Sequence, residues 1–340
     1  MQALLQKLKN HHDLNAAEIT NTFSKMFSGA LTESDVQEFL TLLHQKGEST
    51  AEILAAVQFL KGNAVNTLQA APDVVDCCGT GGDQLGTLNI STAVALVLAG
   101  GGVPVAKHGN AAVSSKSGSA DVLQALGVVI DLSPAAARTC LEQCGITFLL
   151  APLYYPLMQQ VRALRKKIPH PTIFNLLGPL LNPMSVKRQV LGVYNESYVH
   201  RLAEVLLALG HESSIVVHAQ DGLDEFSLSA PAVMSRVVAG QVTDMIFDPW
   251  QESGYPRCEI ADLRGGTATE NALRIRQSLK GHSQAVDHVI HINAAWGFVV
   301  AGRAATFLDG LLLAQDSVSS GRAYQKLQEW VEVSRALQNS

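Results

Sequence analysis

Over residues 1–71 the apolar positions recur at helical intervals, as in Leu40, Leu42 and Leu43 or Ile53, Leu54 and Val57. Asn15 with Glu18, Thr32 with Asp35 and Ser49 with Glu52 each have the spacing of a capping box, in which two side chains satisfy the orphan N–H groups of a helix start. The expectation is a small helical domain. Beyond Pro72 the pattern changes to short β-branched runs at Val74–Cys77, Val103–Ala106 and Ile215–His218, each followed by a glycine-rich turn and a helix of small residues. That alternation predicts a larger α/β domain, residues 72–340, around a mostly parallel sheet.

Composition narrows the class. The 340 residues are 47% hydrophobic and 16% charged, a globular balance that excludes disordered and fibrous chains. A net charge of −5 offers no basic field for nucleic acid. The small, apolar stretch Ala93–Ala106 is broken by Gly100, Gly101, Gly102 and Pro104 and is shorter than the ~18 residues of a membrane span. Five cysteines, two of them adjacent, suit a reduced, cytoplasmic setting better than a disulfide framework. Within this acidic chain, Arg162, Arg165, Lys166, Lys167, Lys187 and Arg188 form a stretch without Asp or Glu, either a solvated face or a place for an anion.

Three segments carry candidate chemistry. The first runs from the strand Val74–Cys77 through Gly79-Thr-Gly-Gly-Asp83 to Asn89-Ile-Ser-Thr92, which opens a helix at Ala93. A strand, a glycine loop and a helix N-terminus present backbone N–H groups to phosphate, although a ligand-free turn has the same composition. The glycine spacing fits neither a dinucleotide fingerprint nor a Walker loop. The second is Lys107-His-Gly-Asn110 and the serine-rich run to Asp121. It starts where a strand ends, the usual ligand position in open α/β sheets, and reads equally as a polar loop capping a helix near Ser119. The third is Asp221-Gly-Leu-Asp224-Glu225, whose oxygens suit Mg²⁺ shared with phosphates, or simply a soluble turn. His288 and His291 lie in a run that looks like packed core, and Cys140 with Cys144 lack the partners of a zinc site.

Taken together with Ala151-Pro-Leu-Tyr154, Ile173-Phe-Asn-Leu-Leu-Gly-Pro179, Leu43–Glu48, Asn293-Ala-Ala295 and Ser320–Ala323, these motifs resemble the anthranilate phosphoribosyltransferases over nearly the whole chain. The resemblance implies the nucleoside phosphorylase/phosphoribosyltransferase type of fold. It also implies a homodimer joined through the helical domain, to which a segment of about 172–188 returns. The implied reaction is Mg²⁺-dependent transfer of phosphoribosyl from phosphoribosyl pyrophosphate (PRPP) to the amine of anthranilate, in tryptophan biosynthesis. Carried over residue by residue, Gly79, Gly81, Gly82, Asp83, Thr87, Asn89, Ser91, Thr92, Lys107 and Ser119 hold PRPP, while Ser91, Asp224 and Glu225 hold the metal. His108, Asn110, Pro152, Arg165 and Gly178 form the acceptor site, with Lys107, His108 and Arg165 acting by charge and position.

The chain departs from the family pattern at Ala111 and Pro171, where arginine is common, and at Tyr155, where histidine is. These departures leave a different aromatic amine or base open as acceptor. Pyrimidine nucleoside phosphorylase and a non-catalytic binding protein are the other classes. Retention of the Asp224–Glu225 pair without a basic surface argues against the last.

Overall fold

The computed structural model describes residues 1–69, 73–83, 85–111, 117–282 and 284–338. The helical domain consists of α1 (Gln2–Lys9), α2 (Ala16–Phe27), α3 (Glu33–Lys46) and α4 (Thr50–Gly62). All three expected capping boxes are formed, at Asn15, Thr32 and Ser49, each contributing about 1 kcal/mol to its helix. Ile19, Phe23, Phe39, Leu40, Leu43, Ile53 and Val57 are fully buried, so the helical periodicity does mark the core face. The expected boundary at Ala71 and Pro72 lies outside the described residues.

The α/β domain begins with β1 (Val75–Gly79), α5 (Ile90–Gly100), β2 (Val105–Gly109), α6 (Ser119–Leu126), α7 (Pro134–Cys144) and β3 (Ile146–Leu150). It continues through the short helices α8 (Leu157–Gln160), α9 (Arg162–Arg165) and α10 (Ile173–Leu177) into β4 (Arg188–Gly192), α11 (Val199–Ala208) and β5 (Ser213–Ala219). After the hairpin β6 (Ala232–Val238) and β7 (Gln241–Phe247) come α12 (Pro249–Ser253), α13 (Ala268–Ser278), α14 (Gln284–Val300), α15 (Phe307–Ser319) and α16 (Arg322–Ala336). The strands form one sheet in the order β3-β2-β1-β4-β5-β6-β7. The first five run parallel, while β6 and β7 add an antiparallel edge. The chain winds outward from β1 in one direction and from β4 in the other. The crevice at their carboxyl ends is therefore a topological switch point, where open α/β sheets bind ligands.

Three expected boundaries shift. Strands β1 and β2 run on through Gly79 and Gly109, so Gly79, Lys107 and His108 are strand residues rather than loop residues. Parallel pairing of Lys107 with Phe148 and His108 with Leu149 extends the ladder past the last β-branched side chain. Helix α5 starts at Ile90, three residues before Ala93, because a carboxylate from elsewhere in the chain supplies its cap. His288 and His291 lie on α14, packed against Tyr255, and Cys140 and Cys144 are buried on α7. The described cysteines are all free thiols. No helix among the described residues is long and apolar enough to cross a membrane.

Tyr154, Phe174 and Pro183, the last two within the segment of about 172–188 expected to return, touch residues 1–69. Phe174 of α10 packs against Phe23 and Phe27 of α2, and the N–H groups of Val65 and Leu68 donate to the carbonyls of Tyr154 and Pro183.

Candidate active site

At the switch point the last residues of β1 and β4, Gly79 and Gly192, sit side by side in register. Neither has a side chain, and the loop Asp221–Glu225 after β5 uses that space. A Cβ on Gly79 would lie 2.4 Å from Asp224 Oδ2 and one on Gly192 1.4 Å from the Asp224 carbonyl oxygen. Asp224 is thus lowered onto the strand ends. Beyond Gly79 the chain turns through Gly81 and Gly82 at φ of +60° and +86°, a conformation that suits glycine.

The two acidic side chains knit this crevice together. Asp224 Oδ2 accepts the Gly81 N–H at 2.8 Å, and Glu225 Oε1 accepts the Ser91 N–H at 2.9 Å in the first turn of α5. Two of the backbone donors expected to face phosphate are therefore engaged by carboxylates. The Ile90 and Thr92 N–H groups are also used, by the carbonyls of Leu88 and Asn89. Burial and the neighbouring Asp83 push the Asp224 carboxyl up to about 7. Burial and the Asp224 charge likewise push Glu225 well above the carboxylate range. Crowded anionic oxygens with this much desolvation are stabilised by a nearby cation.

Lys107 does not reach outward as a mobile phosphate hook. It is buried beneath the crevice, where Nζ donates to the Cys77 carbonyl at 2.7 Å and to Ser91 Oγ at 3.1 Å. Its charge opposes the upward shift of Glu225. Ser91, Lys107, Asp224 and Glu225 are brought together with Gly79, Gly81, Gly82 and Asp83, although they come from four separate chain segments. Asn293 of α14 holds the acidic loop in place, accepting the Phe226 N–H at 3.0 Å and donating to the Phe226 carbonyl at 2.8 Å.

Asn89 stands to one side in a polar cluster. Its Oδ1 accepts from Asn271 Nδ2 at 3.0 Å, and its Nδ2 donates to the Ser117 carbonyl at 3.3 Å. Asn271 also donates to Ser117 Oγ at 2.9 Å and accepts the Gly266 N–H at 2.7 Å, so one buried amide ties three loops. Thr87 forms a bridge with Arg264, and Ser119 Oγ donates to the Asn110 carbonyl at 3.4 Å. Thr92 is fully buried, and its hydroxyl has no hydrogen-bond partner among the described residues. Residues 112–116 of the serine-rich segment lie outside the described residues.

The acceptor candidates come from the end of β2, the turn after β3, α9 and the turn after α10. The His108 N–H donates to Asp76 Oδ1, and Asp76 Oδ2 accepts from Gln189, which also donates to the carbonyl of Pro179 beside Gly178. The His108 ring is buried, 6.4 Å from that of Tyr155, and its Nε2 has no partner among the described residues. Burial and the charge of Lys107 push the imidazole down to about 3, so it is neutral at pH 7. Arg165 lies half-buried at the end of α9, its guanidinium 5.5 Å from the centre of the Phe174 ring. Burial lowers its pKa, and no ion pair to it is formed among the described residues. Pro152 lies in the turn after β3, and Asn110 is exposed just beyond β2. Of the departures, Ala111 is exposed and Tyr155 is buried, while the Pro171 carbonyl accepts from His170 Nδ1 at 2.8 Å.

Asp76, Gln189, Asn271 and the clamp function of Asn293 were not among the expected site residues. Asp76 and Gln189 are polar positions inside β-rich runs, the one signal that marks them. Asn271 sits in an ordinary polar helix and carries none.

A helical bundle joined to an α/β domain, with an acidic loop lowered onto a glycine turn at the switch point, is the two-part architecture of a glycosyl transferase. The glycosyl transferase family's helical bundle domain matches residues 2–64 and its a/b domain residues 71–324. The chain belongs to this family and, within it, to the anthranilate phosphoribosyltransferases. The enzyme of that name from Bradyrhizobium diazoefficiens is 42% identical over 98% of both chains, and that from Desulforamulus reducens 43% identical over 98% of this chain and 96% of its own. The crystal structure of the Thermus thermophilus enzyme shares the fold at a TM-score of 0.90 and 34% identity, covering 98% of this chain and 99% of that one.

Proposed function

We propose that this protein transfers the 5-phosphoribosyl group of PRPP to the amine of anthranilate, giving N-(5-phosphoribosyl)anthranilate and pyrophosphate. The observation that carries the reading is the convergence of Asp224, Glu225, Ser91 and the Gly79–Asp83 turn at the switch point. Their donor set is all hard oxygen, and the buried, mutually repelling carboxylates suit a divalent cation that keeps waters and shares its remaining positions with phosphates. Ser91, Asp224 and Glu225 would hold Mg²⁺. Bound there, the ion would neutralise charge on the pyrophosphate leaving group.

The protein's own contribution is to bind and orient. The Gly79–Asp83 turn with Thr87, Asn89, Ser91, Thr92, Lys107 and Ser119 forms the PRPP side. His108, Asn110, Pro152, Arg165 and Gly178 form the acceptor side. Arg165 supplies a forked cation for the anthranilate carboxylate, and neutral His108 offers Nε2 for a hydrogen bond. The bond from ribose C1 to the pyrophosphate oxygen breaks with its electron pair on oxygen, and the amine nitrogen forms the new bond to C1. The surplus proton on nitrogen then passes to water or pyrophosphate. An aryl amine is neutral at pH 7, so His108, a weak base here, has no proton to remove before attack, and positioning supplies most of the protein's share.

The reading includes a homodimer joined through α1–α4 and a cytoplasmic location, the first checked by sedimentation. The function is tested by the loss of anthranilate fluorescence on adding PRPP and Mg²⁺. Consumption that stops on chelation supports it. Intact PRPP binding without consumption would shift the acceptor to another aromatic amine.

A further inference from the structure

Among the described residues the guanidinium of Arg165 has no carboxylate partner, which raises the question of what holds it in place. Such a long side chain loses much rotamer freedom when held, and a carboxylate clamp works best when that freedom is already spent. Among the described residues its ring contact is with Phe174, 5.5 Å from the centroid, within the range of a cation–π interaction. Phe174 is itself only 2% exposed. Its ring is fixed by Phe23 at 5.7 Å and Phe27 at 6.3 Å, which in turn contact Phe59. Thus the aromatic core of the helical domain ends in a ring face that lies against the acceptor-side cation.

We propose that Phe174 is a positioning residue for acceptor recognition, holding the Arg165 guanidinium over its ring in the orientation that receives the anthranilate carboxylate. The proposal deepens the functional reading above and rests on it. The π face attracts the cation without neutralising it, so the fork stays free for the substrate, which an aspartate or glutamate in the same place would not permit. It also gives the helical domain a part in choosing the acceptor. Phe23 and Phe27 of α2 set the ring, and the ring sets the arginine.

The test compares Phe174→Leu, Phe174→Tyr, Phe59→Leu and Arg165→Ala in the full-length enzyme, with KM for anthranilate and for PRPP, kcat and Tm measured for each. Phe174→Leu keeps an apolar side chain but removes the π face. It should raise the anthranilate KM about threefold to tenfold, with the PRPP KM unchanged. Phe174→Tyr should restore the anthranilate KM. Phe59→Leu removes a ring of the same cluster that does not face Arg165, and should lower Tm without moving the anthranilate KM. The proposal is overturned if Phe174→Leu and Phe59→Leu behave alike, or if Phe174→Leu moves Tm alone. Arg165→Ala separates the two levels. If it leaves the anthranilate KM unchanged, the acceptor reading itself fails, whereas a large effect there with none from Phe174→Leu rejects only the role of the ring.

Discussion

The carbonyl oxygen of Asp224 occupies the space that a side chain on Gly192 would need, 1.4 Å from the ideal Cβ position. This contact seats the acidic loop on the end of β4 and so sets the height of both carboxylates above the sheet. Gly79 makes the matching contact with the Asp224 carboxylate, but there the neighbour is the end of a side chain, which can rotate away. The two glycines therefore predict different failures. Gly192→Ala should cost at least the roughly 1–3 kcal/mol of stability typical of overpacking and so lower Tm strongly, because backbone must move. Gly79→Ala should keep the fold and lose activity by displacing Asp224. Thermal melts with parallel assays check both, and equal Tm losses would contradict the contrast.

Metal should be visible without turnover. Asp224 and Glu225 repel each other in a desolvated crevice, so a bound cation stabilises the folded state alone. Addition of Mg²⁺ with pyrophosphate should raise Tm, EDTA should reverse the rise, and Asp224→Asn should abolish most of it. A rise undiminished in Asp224→Asn would place the cation elsewhere.

Asn271 should matter for the donor although it stands behind Asn89. Asn271→Ala removes the acceptor of the Gly266 N–H, at a cost of about 1–3 kcal/mol for a buried group, and takes one of several hydrogen bonds from Asn89 Oδ1 and Ser117 Oγ. The KM for PRPP should rise about tenfold while that for anthranilate changes little. Initial rates with each substrate varied in turn decide this.

Arg165→Ala should act in the opposite sense. Loss of a charge-assisted contact of about 1.5–3 kcal/mol predicts a tenfold to hundredfold fall in kcat/KM for anthranilate, with PRPP binding nearly intact. An equal loss of PRPP affinity would contradict the division of the site.

Stability should fall in mild acid through buried neutral imidazoles. Burial pushes His211 down to about 3 and His291 to about 4, while in the unfolded chain both titrate near 6.5. The unfolded state thus binds more protons below that pH. Their stabilisation is complete above about pH 6.5 and is lost progressively as pH falls toward the folded values. Tm should decline between pH 7 and 5, and His211→Gln should flatten part of that decline. An unchanged slope in the variant would show that His211 is not the group responsible.

Local signals were legible in the chain. Caps such as Ser49 with Glu52 and the helical spacing of Ile53 and Val57 depend on residues three or four apart, so the helical domain follows from near neighbours. The alternation of β-branched runs with glycine turns likewise announced the α/β domain, and the motif resemblance singled out Asp224 and Glu225. What near neighbours do not contain is which loop meets which. The strand order places β4 beside β1, and only that neighbour relation brings Gly192 to Gly79 and lowers Asp224 between them. The burial of Lys107, capping of α5 by Glu225, and the junction of three loops at Asn271 arise in the same way. Each depends on contacts between residues 16 to 182 positions apart. The sequence by itself determined the elements and the chemical groups available. The tertiary structure decided which groups share a desolvated crevice, because burial and charge proximity, which set their protonation and their reach, exist only once distant segments pack.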